Sequence, residues 1–366
     1  MNICYISNSA SPSKNASSLQ TAKLCEFISK QGHSVKLILP HTGFNKNFNN
    51  FYNIKYKYNV ERLKYFKKFP IGINYYLYSI LAIINSNFKN QDIFLTRNFF
   101  VSFILSLLST KHILEIHDDI KIEGRVIQFL VKYMNILNYD PLIKIITTTK
   151  TLKKQYQVYG VKKNKIQVLH NASSLNSKFK VYKKKNYLKI GYFGSIFKSR
   201  GIKMIIKLSK LDKKNKYYIF GGSLDEINKI KKNRESKNIS FTPHIPYSKI
   251  KKTLDKIDVC ILPYTSKITV SGNVGDISKF TSPLKIFDYM KLGKLIVTSN
   301  LPVLREILRN NHNCIMINKY GNENEWLRVI KKVSKNFKKF DKLRKNSFNY
   351  SNQFDLNWRV KKLLSF

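Results

Sequence analysis

Lys285 and Asp288 stand three residues apart in the stretch TSPLKIFDYMKLG (281–293). That spacing sets two side chains on one face of a helix. Ser282 fits the N-cap, Pro283 the first helical position and Gly293 the residue just past the end. The predicted helix is therefore Pro283–Leu292. Lys285 falls in its first turn, where the helix dipole disfavours a cation by up to about 1 kcal/mol. A bound anion would turn that conflict into a binding site. A carboxylate beside it could accept hydrogen bonds from a ribose diol. The plainer alternative is a surface ion pair between Lys285 and Asp288. Ile286, Phe287 and Met290 point elsewhere and are expected in the core.

A second candidate is GYFGSIFKSRGIKMII (191–206). Gly194 would let backbone approach closely, and Gly201 would open a helix just after Arg200. A helix start with a guanidinium is a seat for phosphate. An ordinary turn with a solvated arginine is equally open, because the glycine spacing is neither a Walker loop nor G-x-G-x-x-G. The third candidate is His117 in EIHDD (115–119), at a strand end, either a substrate contact or a structural hydrogen-bonder. His112 and His117 are five apart and point to opposite faces, so they make no metal pair. Asp118 and Asp119 are adjacent, not a D-x-D pair. The cysteines, Cys4, Cys25, Cys260 and Cys314, lack metal or redox spacing. No metal is expected, and a reducing compartment is.

These residues need a scaffold. At 366 residues the chain is too long for one ordinary core. Apolar runs at 1–7, 33–40, 92–97, 112–118, 144–149 and 165–171 read as strands, with helices between most of them; the first helix, 18–32, stops at Gly32. A lysine-rich stretch, 178–189, reads as a linker. Alternation resumes with strands at 188–194, 216–222, 238–244 and 258–264, then the 283–292 helix, a strand and a second helix through PVLREIL. The expected fold class is α/β: two Rossmann-like, doubly wound domains facing across a cleft.

The net charge is +46, almost all of it lysine. Codon bias toward Lys, Asn and Ile, attraction to an anionic membrane or substrate, and nucleic-acid binding are the competing causes. No zinc finger, RNP-type strand or recognition helix is present, so no nucleic-acid partner is expected. The N-terminus lacks a secretory signal pattern. The longest apolar runs, INYYLYSILAII and FFVSFILSLLS, fall short of the roughly 20 residues that span a bilayer and read as core helices. The bolder reading lays the basic, aromatic stretch LKYFKKFPIGINYYLY on a membrane surface.

The stretch SPLKIFDYMKLGKLIVTSNLPVLREIL resembles the donor-site signature of glycosyltransferase family 4, a GT-B group of retaining, nucleotide-sugar-dependent transferases. GYFGSIFKSRGI is similar to that family's phosphate loop, and ISFTPHIPYSKIKKTLDKIDVCILPY to the segment before its donor loop. KIQVLHNASSLNSKF, SLQTAKLCEFISKQGHSV and FDLNWRVKKLL resemble, in turn, the end of the first domain, its first helix and a C-terminal helix that crosses back. The resemblance implies an acceptor-binding domain over 1–180, a nucleotide-sugar-binding domain over 187–345, and 346–366 returning to the first. It places Asp288 at the second glutamate of the E-x7-E motif, on the ribose, and Arg200 and Lys285 on the diphosphate. Gly194 belongs to the phosphate loop, and His117 borders the reaction centre.

Three departures stand out. Asp288 is shorter than glutamate, Ser195 replaces an arginine, and Phe280 replaces the first glutamate. The loop SGNVGDISKFTSP could compensate, with Asp276 as carboxylate and backbone N–H groups near Gly275 and Ser282 as donors; a flexible lid is the alternative. The resemblance implies transfer of a sugar from a nucleotide sugar to a glycan or lipid-linked acceptor, in cell-surface polysaccharide or lipopolysaccharide synthesis. No cofactor or metal is implied. The expected location is cytoplasmic, peripheral on the inner face of the membrane, with the anionic surface as a further partner. The alternatives are a GT-B-fold sugar-nucleotide epimerase, for which an acid/base set is lacking, and a non-enzymatic basic protein binding membrane or nucleic acid.

Overall fold

The computed structural model describes residues 1–41, 47–63, 71–181, 185–231, 236–269 and 276–365. The chain forms two compact units, Met1–His170 with Leu356–Phe366, and Asn171–Asp355.

The first unit holds β1 (Asn2–Ile6), α1 (Ala16–Lys30), β2 (Ser34–Pro40), α2 (Phe48–Tyr52), β3 (Asn59–Leu63), α3 (Ile71–Asn85), β4 (Ile93–Thr96), α4 (Phe99–Leu107), β5 (His112–Ile116), α5 (Arg125–Lys132), β6 (Leu142–Thr147), α6 (Lys150–Val158) and β7 (Ile166–Val168). Its seven strands are all parallel, in the order β3-β2-β1-β4-β5-β6-β7. The order reverses at β1/β4, the switch point where ligands bind in such sheets. Six of these strands match the apolar runs. The seventh, β3, falls in the Asn-rich interval: its NVERL residues are all at least partly exposed, so an edge strand leaves no apolar run to read. Both long apolar runs are core helices, α3 and α4, which bury Tyr78, Ala82, Ile83, Val101 and Leu105 against Cys4, Ile6, Ile38 and Phe94. Among the described residues no helix is long and apolar enough to cross a membrane. The basic part of LKYFKKFPIGINYYLY, 64–70, lies outside the described residues.

The second unit holds β8 (Lys189–Phe193), α7 (Ile202–Leu211), β9 (Lys216–Phe220), α8 (Leu224–Lys231), β10 (Ile239–Thr242), α9 (Tyr247–Asp255), β11 (Val259–Leu262), α10 (Leu284–Lys291), β12 (Leu295–Ser299), β13 (Ile315–Ile317), α11 (Glu323–Lys335) and α12 (Asp341–Tyr350). Its six parallel strands run β10-β9-β8-β11-β12-β13, with the reversal at β8/β11. The loops after β8 and β11, which carry Gly194–Arg200 and Pro263–Thr269, therefore flank the switch point. The second helix predicted through PVLREIL is instead a short 3-10 turn, Pro302–Glu306. Its bonds run three residues back, as from Leu304 N–H to Leu301 O at 3.0 Å, while Leu301, Val303, Leu304 and Leu308 are buried.

The chain changes unit at His170/Asn171, ahead of the lysine-rich 178–189 stretch. That stretch belongs to the second unit where described: Phe179 packs on Phe348, and Arg344 donates to Lys180 O at 2.8 Å. The last helix, α13 (Leu356–Leu363), belongs to the first unit. It packs on α1, where Gln31 Nε2 donates to Asn357 O at 2.9 Å.

Candidate functional site

Helix α10 starts one residue later than the sequence suggests. Pro283 occupies the cap position with ψ 118°, still extended, and Ser282 makes no cap. The residue before proline is biased away from helix, so Ser282 stays outside the turn and its carbonyl accepts from Asn171 Nδ2 at 2.7 Å. The far end is as expected: Gly293 N–H donates to Met290 O and Lys294 N–H to Tyr289 O. Ile286, Phe287 and Met290 are buried.

Lys285 is the second residue of this helix. Its Nζ lies 3.3 Å from the Tyr192 hydroxyl and 4.3 Å from the centre of the Tyr192 ring. Tyr264 is 5.6 Å away on another side. Arg200 reaches the same Tyr264 ring, with its guanidinium carbon at 5.3 Å, and donates from Nη2 to Thr269 O at 3.2 Å. Its Nε is buried without a partner. Among the described residues neither cation pairs with a carboxylate. Burial, reinforced by Arg200, pushes the Lys285 pKa well below the usual lysine value. Two cations on one tyrosine ring, with no carboxylate partner among the described residues, could together hold an anion.

Two glycines make this arrangement possible. A Cβ on Gly194, at φ +135°, would fall 2.2 Å from Lys285 Nζ, so the loop lacks a side chain where the ammonium sits. A Cβ on Gly201, at φ +74°, would fall 1.8 Å from the Pro263 carbonyl oxygen, so α7 begins hard against the end of β11.

Asp288 faces a different group of side chains. Its Oδ1 accepts from Ser173 Oγ at 2.5 Å and from the Tyr247 hydroxyl at 3.3 Å, and Ser174 Oγ donates to Tyr247 at 2.9 Å. The ion pair with Lys285 that the spacing allows does not form. Burial pushes the Asp288 carboxyl up to about 7, partly opposed by the two hydroxyls. Between about pH 4 and 7 the folded chain holds a proton that the unfolded chain has released. Stability therefore falls as pH rises through this window, by roughly 1.4 kcal/mol per unit. Asp288→Asn is expected to remove this slope and raise stability at pH 8 by roughly 2–4 kcal/mol. Urea unfolding at pH 5 and pH 8 checks it; equal gains at both pH values would count against the assignment.

Asp276 anchors a loop. Its Oδ1 accepts from Ile268 N–H at 3.0 Å and Ser278 N–H at 2.9 Å, while Ile277 N–H donates to Ile268 O. One carboxylate oxygen thus ties together the two ends of the 268–278 segment. Gly275 lies outside the described residues. Phe280 is half-buried and its N–H donates to Ile277 O at 3.0 Å.

His117 follows β5 in the first unit, with its side chain 23 % exposed. Its Nε2 lies 2.5 Å from Glu115 Oε1. Arg97 Nη2 donates to the same oxygen at 2.8 Å, and Arg359 Nη2 lies 3.2 Å from Oε2. Burial alone would raise the Glu115 carboxyl, but Arg359 and Arg97 together hold it well below the usual range. Burial, aided by Arg97, pushes His117 down to about 4 against the pull of Glu115. The imidazole is therefore neutral at pH 7. A carboxylate can only accept, so Nε2 carries the hydrogen and Nδ1 keeps its lone pair. His112 is a different kind of residue: fully buried, it bonds Ser102 Oγ at 2.8 Å and Thr110 O at 2.9 Å.

Sequence reasoning missed Tyr192, Tyr264, Glu115, Arg97 and Arg359. Tyr192 and Tyr264 each sit at the carboxyl end of a strand beside the switch point, which was a usable signal. The Glu115–Arg359 contact had none, since it joins residues far apart in the chain. Among the described residues no group of three or more His, Cys, Asp or Glu could hold a metal.

Two Rossmann-like units in one chain, each a parallel sheet with one reversal of strand order, make the GT-B fold. Residues 173–350 match the family model described as glycosyl transferases group 1. The fold extends over the whole chain in solved structures. HepE from Anabaena, in complex with UDP-glucose, is 14% identical at a TM-score of 0.70, covering 99% of this chain and 98% of its own. Sucrose-phosphate synthase from Thermosynechococcus elongatus is 12% identical at 0.71, covering 99% and 97%. The lipopolysaccharide outer core galactosyltransferase WaaB is 10% identical at 0.67, again covering 99% and 97%. No curated protein matches the sequence.

Proposed function

We propose that this protein is a retaining glycosyltransferase that moves a sugar from a nucleotide sugar to a glycan or lipid-linked acceptor, in synthesis of a cell-surface polysaccharide or lipopolysaccharide. The carrying observation is the pair Lys285 and Arg200 at Tyr264 and Gly194, without a carboxylate partner. Breaking the anomeric bond leaves negative charge on a nucleoside diphosphate, and fixed cations in a dry site stabilise that charge as it develops. Asp288 takes the ribose hydroxyls, its reach shortened by one methylene. Asp276, tied to the Ile268 and Ser278 N–H groups, is the carboxylate that takes the place of the missing glutamate, and Ser282 lends a backbone donor. The reaction needs no metal under this reading.

His117, neutral and with Nδ1 free to accept, orients a hydroxyl of the sugar or the acceptor. His117→Ala is expected to lower turnover by roughly 10²-fold and leave nucleotide binding unchanged. In the wild type no pH inflection from His117 is expected above about pH 5. The folded chain also gains stability as pH rises from about 4 to 6.5, because the unfolded histidine binds the extra proton across that window.

The test is a thermal-shift screen against a panel of nucleotide sugars, headed by UDP-glucose, the ligand of the Anabaena neighbour. Stabilisation by at least one donor is expected, followed by NMR of the product anomer to read retention. Absence of any shift across the panel would overturn the reading. Under this reading the protein works in the cytoplasm, peripheral on an anionic membrane surface, and its lysine content supports that.

A further inference from the structure

Helix α5 carries apolar residues on both faces. Ile127, Leu130 and Val131 are buried in the first unit. On the other face Val126, Phe129 and, at the C-terminal cap, Tyr133 are 50%, 54% and 76% exposed, and Ile122, in the 3-10 turn just before the helix, is 55% exposed. Val126, Phe129 and Tyr133, spaced by three and four residues, form one stripe along the helix, and Met134 just past its end is 41% exposed. A soluble helix normally turns charge to water at such positions, and a contiguous apolar patch marks an interaction site. The stripe continues onto α3: a Cβ at Gly124 would lie 3.7 Å from the Tyr76 hydroxyl, and Ile73, one turn earlier, is 47% exposed.

The flanks carry the charge. Lys121, Arg125 and Lys132 are exposed around the stripe, against the half-buried Glu123. An apolar stripe with aromatic rings, edged by cations, fits a surface that is greasy inside and anionic outside. A second copy of this chain fits less well, because it would set like charges against each other in a protein of net charge +46.

We propose that the outer face of α5 is the membrane-docking surface, seating its apolar stripe among the acyl chains of an anionic bilayer while Lys121, Arg125 and Lys132 meet the headgroups. The proposal deepens the peripheral-membrane part of the reading above and assigns it to α5 rather than to the LKYFKKFPIGINYYLY segment. It is independent of the donor chemistry, which nucleotide-sugar binding reads separately.

The full-length protein is tested by sedimentation with vesicles of phosphatidylcholine containing a third phosphatidylglycerol, at low salt. Binding is expected, weakening as salt rises. The double variant Phe129→Ser with Tyr133→Ser should bind at least about tenfold more weakly. Leu211→Ser, equally exposed at 49% but in the second unit, should bind as wild type. Circular dichroism and nucleotide-sugar melts confirm that each variant is folded. Phe129→Trp reads insertion directly, with a blue-shifted emission on anionic vesicles and none on pure phosphatidylcholine. The idea is overturned if the double variant binds vesicles as wild type does, or if the Phe129→Trp emission stays put while the protein sediments. Loss of a solution dimer in the double variant, with vesicle binding intact, would assign the face to a second copy instead.

Discussion

Lys285→Ala is expected to weaken binding of a nucleoside diphosphate by roughly 10²–10³-fold while raising the melting temperature of the ligand-free protein. The two effects have one cause. The ammonium is buried beside Arg200, with no carboxylate partner among the described residues, and its pKa is held well below the ordinary lysine value. Over the pH range between its folded and unfolded pKa values the unfolded chain binds the extra proton, so stability rises with pH there. Removing the side chain relieves that penalty. Under the proposed reading a bound diphosphate turns the same charge from a conflict into an attraction. Calorimetric titration with nucleotide and a melting curve, both at pH 7, measure the opposed signs. A variant that lost both affinity and stability would mark Lys285 as a structural residue. Functional sites often hold such groups at the expense of the fold.

Glu115→Ala has the largest expected effect on folding. The carboxylate is 4% exposed, with Arg97 at 11% and Arg359 at 1% beside it. Breaking a buried ion cluster from one side costs about 3–5 kcal/mol, because charge is left uncompensated. That is a large fraction of the roughly 5–15 kcal/mol by which a domain is stable. The depressed pKa adds a pH signature. The stabilisation is fully present above the ordinary glutamate range and is lost as pH falls through the folded value, so wild type and variant should converge in acid. Urea titrations at pH 7 and pH 3 test this. A loss that stayed the same at both would place the defect in packing rather than in charge.

Most of the scaffold was legible because buried parallel strands leave apolar runs, and the β–α alternation leaves a rhythm. Strand β3 escaped because an edge strand need not be apolar. The PVLREIL turn escaped because its apolar spacing suits a helix as well as a tighter turn. At the site, the conflict of a lysine in the first turn of α10 pointed to an anion, with Arg200 and Gly194 as its companions, and the structure adds what the sequence lacked: the Tyr192 and Tyr264 rings at which the two cations meet. Asp288 shows the limit. Its place on the helix was readable, but its partners Ser173 and Tyr247 come from elements over a hundred and about forty residues away, and no periodicity reports them.

The first unit is not continuous in the chain. Its last piece, Leu356–Phe366, brings Arg359, whose Nε donates to His170 O at 3.0 Å and whose Nη2 lies beside Glu115. On the ribosome this reverses the usual order of assembly. The second unit, continuous from Asn171 to Asp355, has all its parts on leaving the exit tunnel. The first must wait through that whole span, on the order of ten to forty seconds at about 5–20 residues per second, for the guanidinium that balances Glu115. Until then the nascent N-terminal unit holds Glu115 with Arg97 as its buried guanidinium partner.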